Sequence, residues 1–453
     1  MNILILGAGQ VGSSTATQLA KEEDNEVTIV DINPEKLTKL GSRVDLQTIE
    51  GNASYPETLK QAGAETADML IAVTSSDEVN MVACQIASTL FDTDKKIARI
   101  RAREYSENEA LFSKKNIPVD YYISPEQLVT EHIAELILHP GAFQVLDFAD
   151  GQVRMVGVRA KQQGFLVDQP IKSLHKHLGN EQVRIAAVYR DGESIEPEGD
   201  TVIKRDDEVF FIAAREDIDH MISEFIQSQE KVRKVIIAGG GSIGLKLASQ
   251  LEKTNQVKVI ERSKTRAKKI AELVEDTIVL VGDAADDNLL LEESIETTDV
   301  FVALTNSEEA NILSSMLAKK LGCKKAMALI NKASYSGLIE TGSIDIAISP
   351  QQITIGSLLT HVREGDVVKV HSLKRGNAEA LEAIAHENMS LVVGKTVENI
   401  KLPKGAFITA VLSSAGELKT LHHSTVIEPD DHVIVFITDR ERIADVEKLF
   451  KED

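Results

Sequence analysis

A glycine-rich phrase that occurs twice constrains this chain more than any other feature. Near the start, Asn2-Ile3-Leu4-Ile5-Leu6 runs into Gly7-Ala8-Gly9-Gln10-Val11-Gly12. Far downstream, Val235-Ile236-Ile237-Ala238 runs into Gly239-Gly240-Gly241-Ser242-Ile243-Gly244. Each reads as a short buried strand, a tight turn and the opening of a helix. In such a turn the first glycine permits the reversal, the second lets backbone approach a pyrophosphate, and the third lets helix and strand pack closely. Free N–H groups and the dipole at the helix N-terminus then favour an anion.

An acid follows each turn where a dinucleotide fold needs one, about twenty residues on. Asp31 ends Val27-Thr28-Ile29-Val30, and Glu261 ends Val257-Lys258-Val259-Ile260. A carboxylate there accepts hydrogen bonds from an adenosine ribose and repels a 2′-phosphate, so NAD or a plain adenine nucleotide is favoured over NADP.

The rest of the chain follows the same doubling. Apolar runs Ile3–Leu6, Val27–Val30, Leu46–Ile49, Met69–Val73, Ile97–Ile100 and Tyr121–Ile123 alternate with helical patterns over 11–22, 34–40, 57–62, 78–90 and 107–115. That alternation predicts a parallel sheet covered on both faces. Ser124-Pro125-Glu126-Gln127 then predicts a helix start, with Ser124 as cap, Pro125 at the first helical position and Gln127 as capping-box partner. A β-rich stretch follows, with Val153–Val158, Val183–Tyr189 and Val209–Ala213 ahead of a helix over 216–227. After a polar linker the plan repeats through Val300–Leu304, Ala326–Ile330 and Ser349-Pro350-Gln351-Gln352. The expected fold class is α/β: two doubly wound Rossmann domains, each followed by a small β-rich α+β domain. The expected bounds are 1–123, a crossover helix over 124–140, and 141–227; then 232–348, a crossover helix over 349–365, and 366–453.

Two more constellations recur. Gly51-Asn52-Ala53 and Gly282-Asp283-Ala284 follow the third strands. Asn52 and Asp283 could reach an adenine edge, or serve only as turn residues. Thr74-Ser75-Ser76-Asp77-Glu78-Val79-Asn80 and Thr305-Asn306-Ser307-Glu308-Glu309-Ala310-Asn311 follow the fourth strands, which border the first at the switch point where ligands sit. Thr74, Ser75, Thr305 and Asn306 are expected ligand neighbours, and Ser76 and Ser307 are candidate helix caps. After the fifth strand the halves differ. The first has Arg99, Arg101 and Arg103, on one face if the strand continues; the second has Leu329, Asn331 and Ala333. One of Arg99 and Arg101 could meet a nucleotide phosphate, or the set could be a solvated edge paired with Glu104 or Glu107.

Other chemistry finds little purchase. No catalytic acid–base set or nucleophile recurs beside both turns, and no Walker-type phosphate loop occurs. His175, His177, His422 and His423 read as surface or turn residues, and Asp206-Asp207-Glu208 and Asp430-Asp431 as turns before a final strand or, less simply, a cation site. Two cysteines fit a reducing cytosol, and no apolar run approaches the ~18 residues of a membrane span. The formal net charge of −21 argues against nucleic acid or anionic lipid as a partner.

The doubled turns, the acids Asp31 and Glu261, the Thr-x-Ser-acid-Glu-x-Asn repeats, the Ser-Pro-x-Gln helix starts and the two small β-rich modules together resemble the bacterial TrkA family. Its members are cytosolic regulatory subunits of Trk potassium uptake, with tandem RCK (regulator of potassium conductance) units. The resemblance implies a non-enzymatic gating-ring subunit, a homotetramer held at the inner face of the membrane by a TrkH-type pore subunit without inserting itself. It implies NAD(H) and ATP or ADP as ligands, at Gly7–Val11, Asp31, Thr74, Ser75 and Arg99 in the first half and Gly239–Ile243, Glu261, Thr305 and Asn306 in the second. The rivals are an NAD-dependent oxidoreductase, and a regulator whose main ligand, a cyclic dinucleotide or a cation, binds the small modules.

Overall fold

The computed structural model describes all residues except 23–24, 114, 162–163, 175–181, 196, 227–229, 332–341, 363–366, 374–377 and 452–453. Six parallel strands form the first sheet: β1 (Asn2–Leu6), β2 (Glu26–Asp31), β3 (Gln47–Glu50), β4 (Met69–Ala72), β5 (Lys95–Arg99) and β6 (Tyr121–Ile123). Their order is β3-β2-β1-β4-β5-β6. Ile3, Leu4, Ile5 and Leu6 are all buried, as expected of a central strand covered on both faces. Helices α1 (Gln10–Leu19), α2 (Pro34–Gly41), α3 (Pro56–Gln61) and α4 (Asp77–Leu90) make the crossovers. The strand order reverses between β1 and β4, which are direct parallel neighbours, so a crevice opens beyond their C-terminal ends.

The expected helix over 107–115 does not form. A short α5 (Arg103–Ser106) and a single 3-10 turn at Glu109–Leu111 stand there instead. Asn108 and Asn116 donate side-chain N–H groups to the carbonyls of Glu104 (2.7 Å) and Ala110 (2.8 Å), offering the backbone partners outside a helix. The strand preceding them stops at Arg99, so Arg99 and Arg101 do not share a strand face.

The second sheet repeats the first. β12 (Lys234–Ala238), β13 (Gln256–Glu261), β14 (Ile278–Val281), β15 (Val300–Ala303), β16 (Lys325–Leu329) and β17 (Ile346–Ile348) lie in the order β14-β13-β12-β15-β16-β17.

Two antiparallel sheets make up the small modules. The first holds β7 (Ala142–Phe148), β8 (Val153–Arg159), β9 (Val183–Arg190), β10 (Glu193–Ile195) and β11 (Glu208–Ala214). The second holds β18 (Val367–Leu373), β19 (Ala378–Ala385), β20 (Ala406–Leu412) and β21 (Asp431–Ile437). They share one core: Phe148, Met155, Ala187, Phe210 and Ile212 pack with Leu373, Ala380, Leu412, Ile434 and Phe436. The buried carboxylate of Glu382 crosses this junction, accepting the Ala149 N–H at 2.9 Å and pairing with His432 Nδ1 at 2.6 Å.

The acidic pairs before the final strands are turns. Asp206 and Asp430 take φ of 67° and 62°. Asp207 turns inward to a bidentate bond with Arg190 (2.8 and 2.7 Å), and Asp431 to Lys419 (2.7 Å). Among the described residues no cluster of three or more metal-ligating side chains occurs. His422 and His423 are exposed in a turn, while His175 and His177 lie outside the described residues.

The chain divides into two compact units, Met1–Leu128 with Gln351–Val362, and Val129–Pro350 with Arg363–Asp453. Of the three points where the chain passes between units, two fall at the Ser-Pro-x-Gln phrases that open α6 (Pro125–Leu138) and the helix Pro350–Val362, and the third follows Val362 at the end of that helix. In the first unit, Gln351 donates to Ser14 Oγ of α1, and the His361 ring stacks on Tyr121 with centroids 4.0 Å apart. In the second unit, Lys325 Nζ, at the start of β16, donates to the carbonyls of Pro140 (2.9 Å), Ala142 (3.0 Å) and Leu136 (3.4 Å). A cation there completes the C-terminal end of α6. Burial pulls the Lys325 ammonium down to about 8. The expected side-chain cap from Ser124 is not made: its Oγ is buried without a hydrogen-bond partner.

Candidate functional site

The two glycine turns take the same shape, and each glycine can be asked what it is for. Gly7 and Gly239 have φ of 106° and 109°, a region closed to ordinary side chains. A Cβ on Gly7 would also stand 3.0 Å from the Thr74 backbone. On Gly12 and Gly244 it would meet the Gly7 and Gly239 carbonyl oxygens at 1.9 and 2.0 Å, so these glycines set how closely helix and strand approach. Gly9 and Gly241 differ. Their backbone is extended (φ −73° and −70°), and a Cβ on either meets nothing within 4 Å. The protein itself has no need of glycine at these two positions.

Each of these glycines is also the cap residue of its helix, α1 and Ser242–Leu251, and no side chain caps either one. Elsewhere in the same domains capping is routine, by Asn33, Ser76, Ser263, Asp286 and Ser307. Two helix N-termini thus end in open space with their N–H groups uncapped, an arrangement suited to an anion.

The acids stand beside the turns. Asp31 accepts the Ala8 N–H at Oδ2 (2.6 Å) and the Asn33 N–H at Oδ1 (2.8 Å). Glu261 accepts the Gly240 N–H at Oε2 (3.1 Å) and the Ser263 N–H at Oε1 (2.8 Å). Each carboxylate is thereby fixed at the strand tip and retains lone pairs for further donors such as ribose hydroxyls. The residues present therefore fit an adenine dinucleotide or nucleotide: turn and helix end for its phosphates, acid for its ribose.

Other expected residues have work within the fold. Asn52 Oδ1 accepts from Ser54 N (2.9 Å), and Asp283 Oδ1 from Ala285 N (3.0 Å), as turn residues do. Ala53, next to Asn52, is buried in the first sheet's core. Thr74 donates its hydroxyl to Asn80 Oδ1 (2.7 Å), and Thr305 to Asn311 Oδ1 (2.6 Å). Ser76 and Ser307 cap their helices, accepting from Val79 and Ala310. Ser75 and Asn306 are exposed between them.

Sequence reasoning assigned no role to Asn80 and Asn311. Both are fully buried, and each also donates to the end of the fifth strand, at Arg99 O (2.9 Å) and Leu329 O (3.0 Å). Their recurrence at the close of the Thr-x-Ser phrase was the signal available. Asp77 was missed as well: it accepts the backbone N–H groups of Arg101 and Ala102, both at 2.8 Å.

The arginines part ways. Arg101 is committed, with Nε 3.6 Å from Asp77 and a guanidinium N–H donated to the Ser75 carbonyl. Arg99 is not. Its Nε is buried with no hydrogen-bond partner, and its ion-pair partner, Glu126, stands 3.9 Å away. Burial pulls the Arg99 guanidinium below its ordinary value, opposed by Glu126. Arg103 is helical, and Ala333 lies outside the described residues.

The comparisons with known proteins agree with this geometry. The TrkA-N domain profile matches residues 3–125 and 235–350, and the TrkA-C domain profile matches 163–226 and 381–451. The Trk system potassium uptake protein TrkA of Halomonas elongata is 53% identical over 453 residues, covering 100% of this chain and 99% of that protein. The chain belongs to the TrkA family. The TrkA of Vibrio alginolyticus is 50% identical over 454 residues and that of Haemophilus influenzae 44%, each covering 100% of this chain and 99% of the relative. Among solved structures, the GsuK RCK domain superposes with a TM-score of 0.62 at 16% identity, over 99% of this chain and 94% of that one. The GsuK channel bound to NAD superposes with a TM-score of 0.61 at 16% identity, over 99% and 78%. The fold of this TrkA-family chain is thus that of RCK domains.

Proposed function

We propose that this chain is the nucleotide-sensing regulatory subunit of a potassium uptake system. It binds NAD(H), with ATP or ADP as alternative ligands, at the two glycine turns. It controls a separate TrkH-type pore subunit, which holds it at the cytoplasmic face of the membrane as a homotetrameric ring. The observation that carries this reading is the pair Gly9 and Gly241: glycines that neither backbone conformation nor packing calls for, each at an uncapped helix end beside a fixed carboxylate. The relatives' name as potassium uptake proteins and the NAD-bound GsuK structure support the physiological context.

In this role the nucleotide is a signal. A ligand moves a two-state assembly only through its differential affinity for the two states. A tetramer would carry eight such turns, so small differences at each would sum toward the ~5.5 kcal/mol of a full switch. Arg99, with Leu329 as its counterpart, gives the first site a preference for phosphate charge that the second lacks.

Titration calorimetry of the full chain with NADH, NAD, ATP and ADP tests the reading, followed by potassium flux through the co-reconstituted pore subunit. Gly9→Val and Gly241→Val should each remove one class of site and together abolish binding and the flux response. Retained nucleotide binding in the double variant, or flux indifferent to every nucleotide, overturns it.

A further inference from the structure

We propose that Glu126 is a built-in stand-in for a ligand phosphate at Arg99, and that its displacement reports occupancy of the first site to α6. The inference rests on the nucleotide reading above and names how that site is read out.

The Arg99–Glu126 pair is poorly made by this protein's own standard. Arg190 and Asp207 meet bidentately at 2.8 and 2.7 Å, as a charge-assisted pair does. Arg99 and Glu126 approach only to 3.9 Å, and Arg99 Nε stays buried with no partner. A second buried atom without a partner lies close by. Arg99 is the register partner of Ile123, and the next residue, Ser124, keeps its Oγ unbonded. A guanidinium drawn out of water, beside an unbonded hydroxyl, is a setting that a phosphate oxygen completes better than this carboxylate does.

The duplication supplies an internal control. In the second half Leu329 stands at the position of Arg99, and Gln351 at the position of Glu126. Cation and anion are lost together, as expected of two residues that act on each other. Gln351 instead donates to Ser14 on α1, the helix that opens at the first glycine turn. Two of the three crossing points between the compact units therefore bear on elements of the first site, one through β5 and one through α1.

Glu126 sits in the first turn of α6, just before the chain leaves the first unit at Leu128. β5 lies two strands from β1, about 10 Å across the sheet. A phosphate extending beyond the pair held at Gly9 covers part of that distance, and the long Arg99 side chain at the end of β5 covers the rest. Its arrival at Arg99 exchanges one anion for another, and the carboxylate that is released carries the start of α6 with it.

The test uses the full chain with Gly241→Val, so that only the first site binds, and ATP as probe. Removing the competitor with Glu126→Gln should tighten ATP binding about two- to fivefold, the range of a partly exposed ion pair. ATP should speed amide hydrogen exchange in the first turns of α6 in the parent and leave it unchanged in Glu126→Gln. In an Arg99→Gln background, Glu126→Gln should no longer change ATP affinity. Equal affinities of parent and Glu126→Gln with an intact exchange response overturn the inference while leaving the proposed function standing. A Glu126→Gln effect that persists without Arg99 also overturns it, because the carboxylate would then act by plain repulsion. Failure of the Gly241→Val parent to bind any nucleotide overturns the first-site reading itself.

Discussion

Gly7, Gly9 and Gly12 look alike in a sequence and differ in consequence. Gly7→Ala places a side chain at φ 106° against the Thr74 backbone, so a loss of about 1–3 kcal/mol or more in urea unfolding is expected. Gly9→Ala should change stability by no more than about 1 kcal/mol, because its backbone conformation is open to any residue, while still weakening NADH binding in calorimetry. Gly240 shows a subtler dependence. A Cβ there would meet Ile270 Cδ1 at 2.1 Å, whereas Ala8 and Leu40 stand at the corresponding positions of the first half. Gly240→Ala should therefore destabilise the second domain, and adding Ile270→Val, which removes that methyl, should restore most of the loss. Thermal melts of the single and double variants would show the coupling.

At the scale of elements, the fully buried amides of Asn80 and Asn311 tie the end of the fourth strand to the end of the fifth. Asn80→Ala removes the acceptor for the Thr74 N–H and hydroxyl and the donor to Arg99 O, so a loss of about 2–4 kcal/mol is expected by urea denaturation. Losing that tie should also disorder Arg99. The sheets were legible in the sequence because a buried parallel strand is written as an unbroken apolar run, and the fully buried strands Met69–Ala72 and Val300–Ala303 fall where the runs place them. The glycine turns and their acids were legible because local geometry demands those residue types. Segment 107–115 was not, because Asn108 and Asn116 divert the backbone through contacts that periodicity does not register. Nor was the role of Ser124, whose surroundings are set by β5, a strand distant in sequence. The pairing of Arg99 with Glu126 was hidden for the same reason.

At the scale of the molecule, three histidines among the described residues are held neutral by burial. His132, His361 and His371 are each pulled from 6.5 to about 4. The unfolded chain takes up these protons first, so their contribution to stability is complete above pH 6.5 and is lost as pH falls toward 4. The slope is at most about 1.4 kcal/mol per pH unit for each. Acid also relieves self-repulsion in a chain of net charge −21, so the test is a difference: His371→Gln should flatten the loss of urea midpoint between pH 7 and 5 relative to the parent. The core shared by the two small sheets bears on how the chain is made. Phe148 and Phe210 leave the ribosome long before Leu373, Ile434 and Phe436, the residues that cover them. At ~5–20 residues per second, the first small sheet waits on the order of ten to fifty seconds with an apolar face bare. A nascent first half is therefore a sticky half, and a fragment ending at residue 226 should satisfy that face with a second copy of itself, eluting as a dimer in size-exclusion chromatography. Duplication within one polypeptide sets two faces that must meet at a fixed effective concentration, and it makes the birth of each molecule a race between synthesis and misassembly.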